Sequence, residues 1–123
     1  MEPSEIHPIV EEAFNGRDIE GLVALYEPDA WFFSLDGPVQ GLDAIRTAWE
    51  GIMAMEPGPI TMTTVYALEQ GDIAMISNRW SMSVGGDDMS AATAEVVRRQ
   101  ADGTWKYVID NPDAAGVLGE LTP

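Results

Sequence analysis

The second half of the chain consists of β-rich runs that short turn signals separate. The sharpest signal is Asp102-Gly103, a dipeptide typical of two-residue hairpin turns. With Gln70-Gly71 and the Gly-Gly-Asp-Asp of residues 85–88, it divides the sequence into four predicted strands, at residues 60–69, 72–84, 89–100 and 104–111. Strands joined by such short turns must pair antiparallel. The chain is therefore limited to folds in which other elements cover an antiparallel sheet.

Helical spacing is confined to the first half. Apolar residues at helical intervals predict a first helix, namely Ile6, Ile9, Val10, Ala13 and Phe14. Asp18 is a suitable N-cap for a short second helix that runs to Tyr26. Residues 30–35 predict a strand, and a third helix begins near Leu42. The order α-α-β-α-β-β-β-β predicts one α+β domain over residues 1–123, with helices packed on one face of a curved sheet. Residues 113–123 are expected to form a loosely ordered tail.

Charge and composition exclude several classes of partner. The 123 residues include 21 acids and 6 bases, for a net charge of −15. Because such a field repels phosphate backbones and anionic lipids, neither nucleic acid nor a membrane is an expected partner. With one histidine and no cysteine, we expect neither a metal nor another cofactor. The acidic N-terminus without signal-peptide features, together with the lack of cysteine, favours a cytoplasmic protein.

Several segments in this order resemble the NTF2-like superfamily, and in particular its SnoaL-like, DUF4440-type members related to ketosteroid isomerase. The similar segments are residues 14–26, 28–33, 41–46 and 98–105, and the closing strands carry Arg98-Arg99, Asp102-Gly103-x-Trp105 and Asp110-Asn111-Pro112. The resemblance implies a cone, with a ligand pocket between the concave face of a curved antiparallel sheet and the helices, and a homodimer formed through the sheet. It implies no single reaction, because the superfamily includes isomerases, cyclases, dehydratases, hydrolases and non-enzymes.

The resemblance also allows the isomerase chemistry to be tested on this sequence. Ketosteroid isomerase uses a carboxylate base, together with a tyrosine and a protonated aspartate that hold the oxyanion. Alignment of the shared segments puts these three positions on Ser34, Val10 and Val96. Since a valine cannot donate a hydrogen bond to an oxyanion, steroid isomerisation by that mechanism is not expected.

Alternation along the predicted strands gives a set of candidate pocket residues. Asp36 shares a face with Phe32 and Ser34 and is the candidate catalytic base, although Asp36-Gly37-Pro38 is also a typical turn. Asn78 and Trp80 could orient a ligand, although Trp80 could equally belong to the core.

In the closing strand, Tyr107, Ile109 and Asn111 are predicted to face inward, and Asp110 to pair outward with Arg98 or Arg99. Glu95 is predicted to form an ion pair with Arg99 or at a dimer interface. An acid–base role for Glu95 stays open if the assigned alternation is offset by one residue. His7 is predicted to be a solvated residue at the start of the first helix.

Three functions remain open from the sequence. The chain could be a small enzyme that acts on an apolar, oxygenated molecule by acid–base chemistry of the isomerase or cyclase type. It could instead be a non-catalytic protein that binds such a molecule, or a dimerisation or interaction module. An open cavity with a buried Asp36 would favour the enzyme, whereas an apolar cavity with Asp36 in solvent would favour binding.

Overall fold

The computed structural model describes residues 1–114. After a 3₁₀ turn at Pro3–Glu5, three helices occur in this part of the chain: α1 (Ile6–Asn15), α2 (Ile19–Val23) and α3 (Leu42–Ala54). The strands are β1 (Tyr26–Ser34), β2 (Gly37–Gln40), β3 (Thr61–Gln70), β4 (Ile73–Val84), β5 (Asp87–Ala92), β6 (Ala94–Arg99) and β7 (Trp105–Asn111). Most of the tail predicted over residues 113–123 lies outside the described residues.

The strands form one curved, unclosed sheet with the order β2-β1-β7-β6-β4-β3, and β5 pairs with β4 beside this path. The predicted α+β class is confirmed. All pairings are antiparallel except that of β1 with β7, which is parallel and begins where Tyr26 lies opposite Tyr107. No helix within residues 1–114 is long and apolar enough to cross a membrane.

Three local predictions differ from the structure because strand pairing overrides the local pattern. Residues 37–40 form an additional strand, β2, which makes a hairpin with β1. The predicted strand over residues 89–100 is two strands, because β4 pairs with β6 along its first part and with β5 along its second. The second helix ends at Val23 rather than Tyr26, since Tyr26 already pairs with β7.

The helices pack on one face of the sheet, which we call the inner face. Helix α1 buries Ile6, Val10 and Phe14, and α3 buries Ile45 and Trp49. The sheet contributes a matching set of buried apolar residues, including Phe32, Ala74, Ile76, Trp80, Val97 and Tyr107. The apolar spacing of the first and third helices therefore marked the correct sides, except that Ile9 is 40% exposed.

An apolar row crosses the opposite, outer face of the sheet. Its members are successive Cα partners on five neighbouring strands: Trp31, Ile109, Val96, Met75 and Leu68. We call these five residues the outer row. All except the half-buried Val96 are exposed, and Leu68 is 62% exposed.

Candidate functional site

A cavity of about 370 Å³ opens between the helices and the inner face of the sheet. Its walls are mostly apolar and include Val10, Phe14, Phe32, Trp49, Met62 and Trp80. Its polar lining includes Asn78, Thr93, Glu95 and Asp110, which we call the polar floor. Within residues 1–114, no lysine or arginine lines the cavity. An apolar chamber with a few convergent polar groups is typical of a small-molecule site.

A β-bulge at Val108 turns Asp110 into the cavity. Val97 lies opposite Tyr107 and Val96 lies opposite Ile109, so Val108 is an extra residue on β7. The alternation of side chains reverses after it, and Asp110 is 6% exposed whereas Ile109 is 37% exposed. The predictions that Ile109 faces inward and Asp110 outward are therefore wrong.

The arginines predicted to pair with Asp110 have other partners. Arg98 lies 3.0 Å from Glu27, and Arg99 lies 3.4 Å from Glu69. The guanidinium of Arg99 also lies 4.8 Å from the ring centre of Trp105. Asp110 is thus free of any arginine within the described chain, and its charge state depends on its burial and its other neighbours.

Asp110 is held in its neutral form by its surroundings. Burial is the largest cause that raises the pKa of Asp110 well above its ordinary value, and the nearby carboxylate of Glu95 is the second. The Tyr26 hydroxyl donates a hydrogen bond to Oδ2 of Asp110 at 2.6 Å and opposes part of this rise. Asp110 therefore keeps its proton at pH values where an exposed aspartate has lost it, and it can donate a hydrogen bond.

Glu95 lies directly opposite Asp110 in the β6–β7 ladder, and both side chains line the cavity. Directly opposed residues on one face have Cβ atoms about 5 Å apart. Glu95 is 2% exposed. The predicted ion pair with Arg99 is wrong, because Oε1 of Glu95 instead accepts hydrogen bonds from Thr93 Oγ1 at 2.7 Å and from Asn78 Nδ2 at 3.3 Å.

His7 completes the surroundings of Glu95. Its Nε2 lies 2.8 Å from Oε1 of Glu95, and its Nδ1 lies 2.8 Å from Oγ1 of Thr64. The side chain is 1% exposed, so the prediction of a solvated residue at the helix start is wrong. The imidazole can be buried because both of its nitrogen atoms have partners.

Two tyrosines beside the carboxyl groups remain neutral phenols. Burial first, and then the charge of Asp110, raises the pKa of Tyr26 well above its ordinary value. Burial and the neighbouring Glu95 raise the pKa of Tyr107 in the same direction. The Trp49 indole N–H has no partner with hydrogen-bond geometry among residues 1–114, although it lies near enough to the Tyr26 hydroxyl to oppose the rise in that phenol's pKa.

The residues proposed from the sequence as ligand contacts all line this cavity, namely Phe32, Ser34, Asn78, Trp80, Tyr107 and Asn111. The Trp80 indole N–H donates to the carbonyl oxygen of Pro112 at 2.7 Å, so it is already occupied within the protein. Asn111 lines the cavity even though the bulge reverses the alternation before it. Residues 1–114 contain no group of three side chains that could hold a metal ion.

Asp36, the candidate base, lies in the exposed turn between β1 and β2 and does not line the cavity. Its backbone N–H donates to the Ser34 hydroxyl at 3.2 Å, as expected of a turn residue. The polar floor contains two carboxyl groups that strand alternation had not placed in the cavity. Glu95 was an open alternative, and Asp110 could have been placed only if the bulge at Val108 had been known.

Comparison with known proteins agrees with this geometry. The model of the SnoaL-like domain family matches residues 9–108, and the chain belongs to that family. Among curated protein sequences no match is found.

Solved structures show the same fold at low identity. An NTF2-like protein of unknown function from Pseudomonas putida is 24% identical over 98% of this chain and 96% of its own, with a TM-score of 0.73. A ketosteroid isomerase-like protein from Erwinia carotovora atroseptica is 20% identical over 86% of this chain and 88% of its own, with a TM-score of 0.69. A protein from Nostoc punctiforme with a cystatin-like fold is 18% identical over 94% of this chain and 91% of its own, also with a TM-score of 0.69.

Proposed function

We propose that this protein binds a small, apolar, oxygen-containing molecule in the cavity and transfers a proton on it, as an isomerase or cyclase would. The observation that carries the proposal is the opposed pair Glu95 and Asp110 at the floor of an apolar cavity. Two carboxyl groups this close and this buried cannot both be ionised at low cost. A buried pair in which one member keeps its proton is suited to act as one acid and one base.

The surroundings assign the two roles. Asp110 retains its proton, so it donates a hydrogen bond to a carbonyl oxygen of the ligand. Glu95 accepts several hydrogen bonds on one oxygen, and it takes a proton from the carbon next to that carbonyl. The C–H bond breaks, its electron pair forms the enolate, and the proton is bound to Glu95 until it is returned to carbon. These groups occupy other positions than the three that the ketosteroid isomerase alignment gives.

The lining of the cavity limits the class of ligand. Aromatic and methionine side chains form the walls, and no basic side chain within residues 1–114 is available to neutralise a carboxylate or phosphate. A neutral carbonyl compound therefore fits the site better than an anion. An exposed Asp36 alone would favour simple binding, but the two buried carboxyl groups supply the acid–base pair in its place.

The proposal is tested with β-tetralone, an apolar bicyclic ketone whose acidic α-protons report enolisation. Its α-proton exchange is followed by NMR in deuterium oxide, with wild-type protein, Glu95→Gln and Asp110→Asn. We expect the wild-type protein to exceed the buffer rate and Glu95→Gln to lose about 100-fold or more of this excess. Asp110→Asn is expected to lose less, since an amide still donates a hydrogen bond.

Two further variants complete this experiment. Glu50→Gln, which removes an exposed acid on α3, should keep the wild-type rate. Asp36→Asn compares the two candidate bases, because loss of exchange in this variant alone would assign the base to Asp36. Ligand binding without exchange above buffer would contradict catalysis and leave the non-catalytic binding protein.

The outer row supports a second role, which is self-association through the sheet. Five apolar side chains lie in register across neighbouring strands, and four of them are exposed; such apolar strips mark protein–protein contacts. We propose that two copies of the chain associate on this face, as the family resemblance implies. Sedimentation should show a dimer for the wild-type protein and for Ala101→Lys, in an exposed turn, but a folded monomer for Met75→Lys. A Met75→Lys dimer would exclude this face.

A further inference from the structure

His7 is the only histidine of the chain and lies beneath the polar floor rather than in it. It reaches Glu95 from the first turn of α1, across 88 residues of sequence. The cavity lining does not include it, so a ligand in the cavity meets Glu95 and not the imidazole. Any influence of His7 on the chemistry must therefore act through Glu95.

The directions of the hydrogen bonds around Glu95 follow from the partners. The Thr93 hydroxyl accepts the backbone N–H of Asn78 at 2.9 Å and donates to Oε1 of Glu95. Oε1 also accepts from Asn78 Nδ2. Because this oxygen acts as an acceptor throughout, Nε2 of His7 is the protonated nitrogen in that contact.

This arrangement makes the two oxygens of Glu95 unequal. Every contact with full hydrogen-bond geometry goes to Oε1, and the Tyr107 phenol is the other group close to the carboxyl. Oε2 carries none of these three hydrogen bonds, and it is the oxygen we assign to accept a proton from a ligand, in competition with the Tyr107 phenol that also interacts with the carboxyl group. His7 fixes which oxygen this is, since its contact comes from the helical layer and resists rotation of the carboxyl group.

The other nitrogen of His7 faces a partner that suits either charge state. The Thr64 hydroxyl can donate to a neutral Nδ1 or accept from a protonated one, so both hydrogen bonds persist when His7 gains or loses a proton. Thr64 is exposed and lies beside a β-bulge in β3, where the strand is locally irregular. The Nδ1 position is thus linked to solvent through one hydroxyl group.

We propose that His7, as an imidazolium, is a positioning residue that holds Glu95 as the base and compensates its change of charge. When the carbon acid gives its proton to Oε2 of Glu95, the imidazolium releases its Nδ1 proton through the Thr64 hydroxyl to solvent. The pair passes from carboxylate and imidazolium to carboxylic acid and imidazole, so its net charge stays zero. Both transfers reverse when the proton returns to carbon. The inference rests on the proposed function, because it assumes that Glu95 is the base.

The first test needs no ligand, because ¹⁵N-histidine labelling gives the signals of one residue. We expect both nitrogens of His7 to have the ¹⁵N shifts of protonated nitrogens, and the Nε2 shift to change in Glu95→Gln. Thr64→Val should alter chiefly the Nδ1 signal. An unprotonated Nε2 or an unprotonated Nδ1 in the wild-type protein would overturn the inference whatever the activity.

The second test compares β-tetralone exchange with β-tetralone affinity. His7→Gln keeps an N–H donor but cannot change its charge, so we expect the exchange rate to fall about tenfold to 100-fold with the Kd within about twofold. Thr64→Val should lower the rate in the same way, Thr64→Ser should restore it, and Thr63→Val, an exposed neighbour, should leave it unchanged.

The outcomes separate this inference from the proposed function. An unchanged rate in His7→Gln, while Glu95→Gln is inactive, would overturn the role of His7 and leave Glu95 as the base. A rate loss in His7→Gln that merely follows a weaker Kd would show a structural role alone and would also overturn it. If the wild-type protein gives no exchange, or Glu95→Gln retains it, the proposed function fails and the catalytic role of His7 fails with it.

Discussion

On β4, Met75 and Ile76 are neighbours in the chain but lie on opposite faces of the sheet. Ile76 is fully buried on the inner face, whereas Met75 is 44% exposed on the outer face. The same contrast holds across β6 and β7, where Glu95 and Asp110 are buried and Val96 and Ile109 lie in the outer row. The inner face thus buries carboxyl groups among apolar residues, while the outer face leaves apolar residues in contact with water.

Each face of the sheet has features that do not stabilise the single folded chain. A buried carboxyl group is tolerated only when it is neutralised or hydrogen-bonded, and the polar floor uses both means. Asn78 Oδ1 is buried without a partner among residues 1–114. Exposed apolar side chains in register gain nothing from burial in a single chain. The inner face is therefore suited to a ligand, and the outer face to another protein surface.

The largest expected difference between the faces comes from truncating the two neighbours on β4. Ile76→Ala removes methyl groups from a closed core and should cost about 2–5 kcal/mol of unfolding free energy. Met75→Ala should cost less than about 1 kcal/mol, because the side chain is already partly in water. Urea unfolding at low protein concentration measures both.

A comparable loss in the two variants would contradict the contrast between the faces. Repeating the urea unfolding at higher protein concentration tests the contrast between the faces further. A cost for Met75→Ala that grows with protein concentration would show that a second copy covers the outer face.

The second prediction compares two threonines. Thr93→Val removes the hydroxyl that donates to Glu95 and leaves the backbone N–H of Asn78 without its acceptor. Because both groups are buried, we expect a loss of about 1–3 kcal/mol in thermal or urea unfolding. Thr63→Val makes the same change at an exposed position of β3 and should stay within about 0.5 kcal/mol. Equal effects would mean that the hydrogen bonds of the Thr93 hydroxyl to Glu95 and Asn78 do not stabilise the folded protein.

The parts of the fold that local patterns determine could be predicted from the sequence. Apolar spacing identified α1 and α3, and the Asp102-Gly103 signal identified the closing hairpin. The capping role of Asp18 is confirmed, since its side chain accepts the backbone N–H of Gly21 at 2.9 Å. The change of partner along β4 and the parallel β1–β7 pair depend on contacts between distant segments, which no local pattern encodes.

The same limit applies to the site. The apolar walls followed from strand alternation, but the alternation reverses at Val108, and Asp110 therefore faces the cavity. His7 next to Pro8 has the local features of a solvated helix start. Its burial is possible only because Glu95 and Thr64, from two distant strands, supply its hydrogen-bond partners. Polar residues in a core are determined by their partners, so their positions require the tertiary structure.

The third prediction concerns the pH dependence of the unfolding free energy, and its expected effect over one pH unit is the smallest of the three. The pKa of Asp110 is raised by folding, mainly through burial, so below about pH 4 both the folded and unfolded chains bind its proton. As the pH rises above this value, the unfolded chain releases the proton and the folded chain does not. Asp110 therefore lowers stability by up to about 1.4 kcal/mol per pH unit until its folded pKa is reached.

Asp110→Asn removes this dependence and can still accept the Tyr26 hydrogen bond. The unfolding free energy of the variant, relative to wild type, should be constant below about pH 4 and increase from there toward neutral pH. Glu50→Gln, which removes one exposed acid, corrects for the loss of a negative charge in a chain of net charge −15. A difference that is flat with pH, or that falls as the pH rises, would mean that Asp110 is ionised in the folded protein. The acid of the proposed pair would then have to be another group on the inner face.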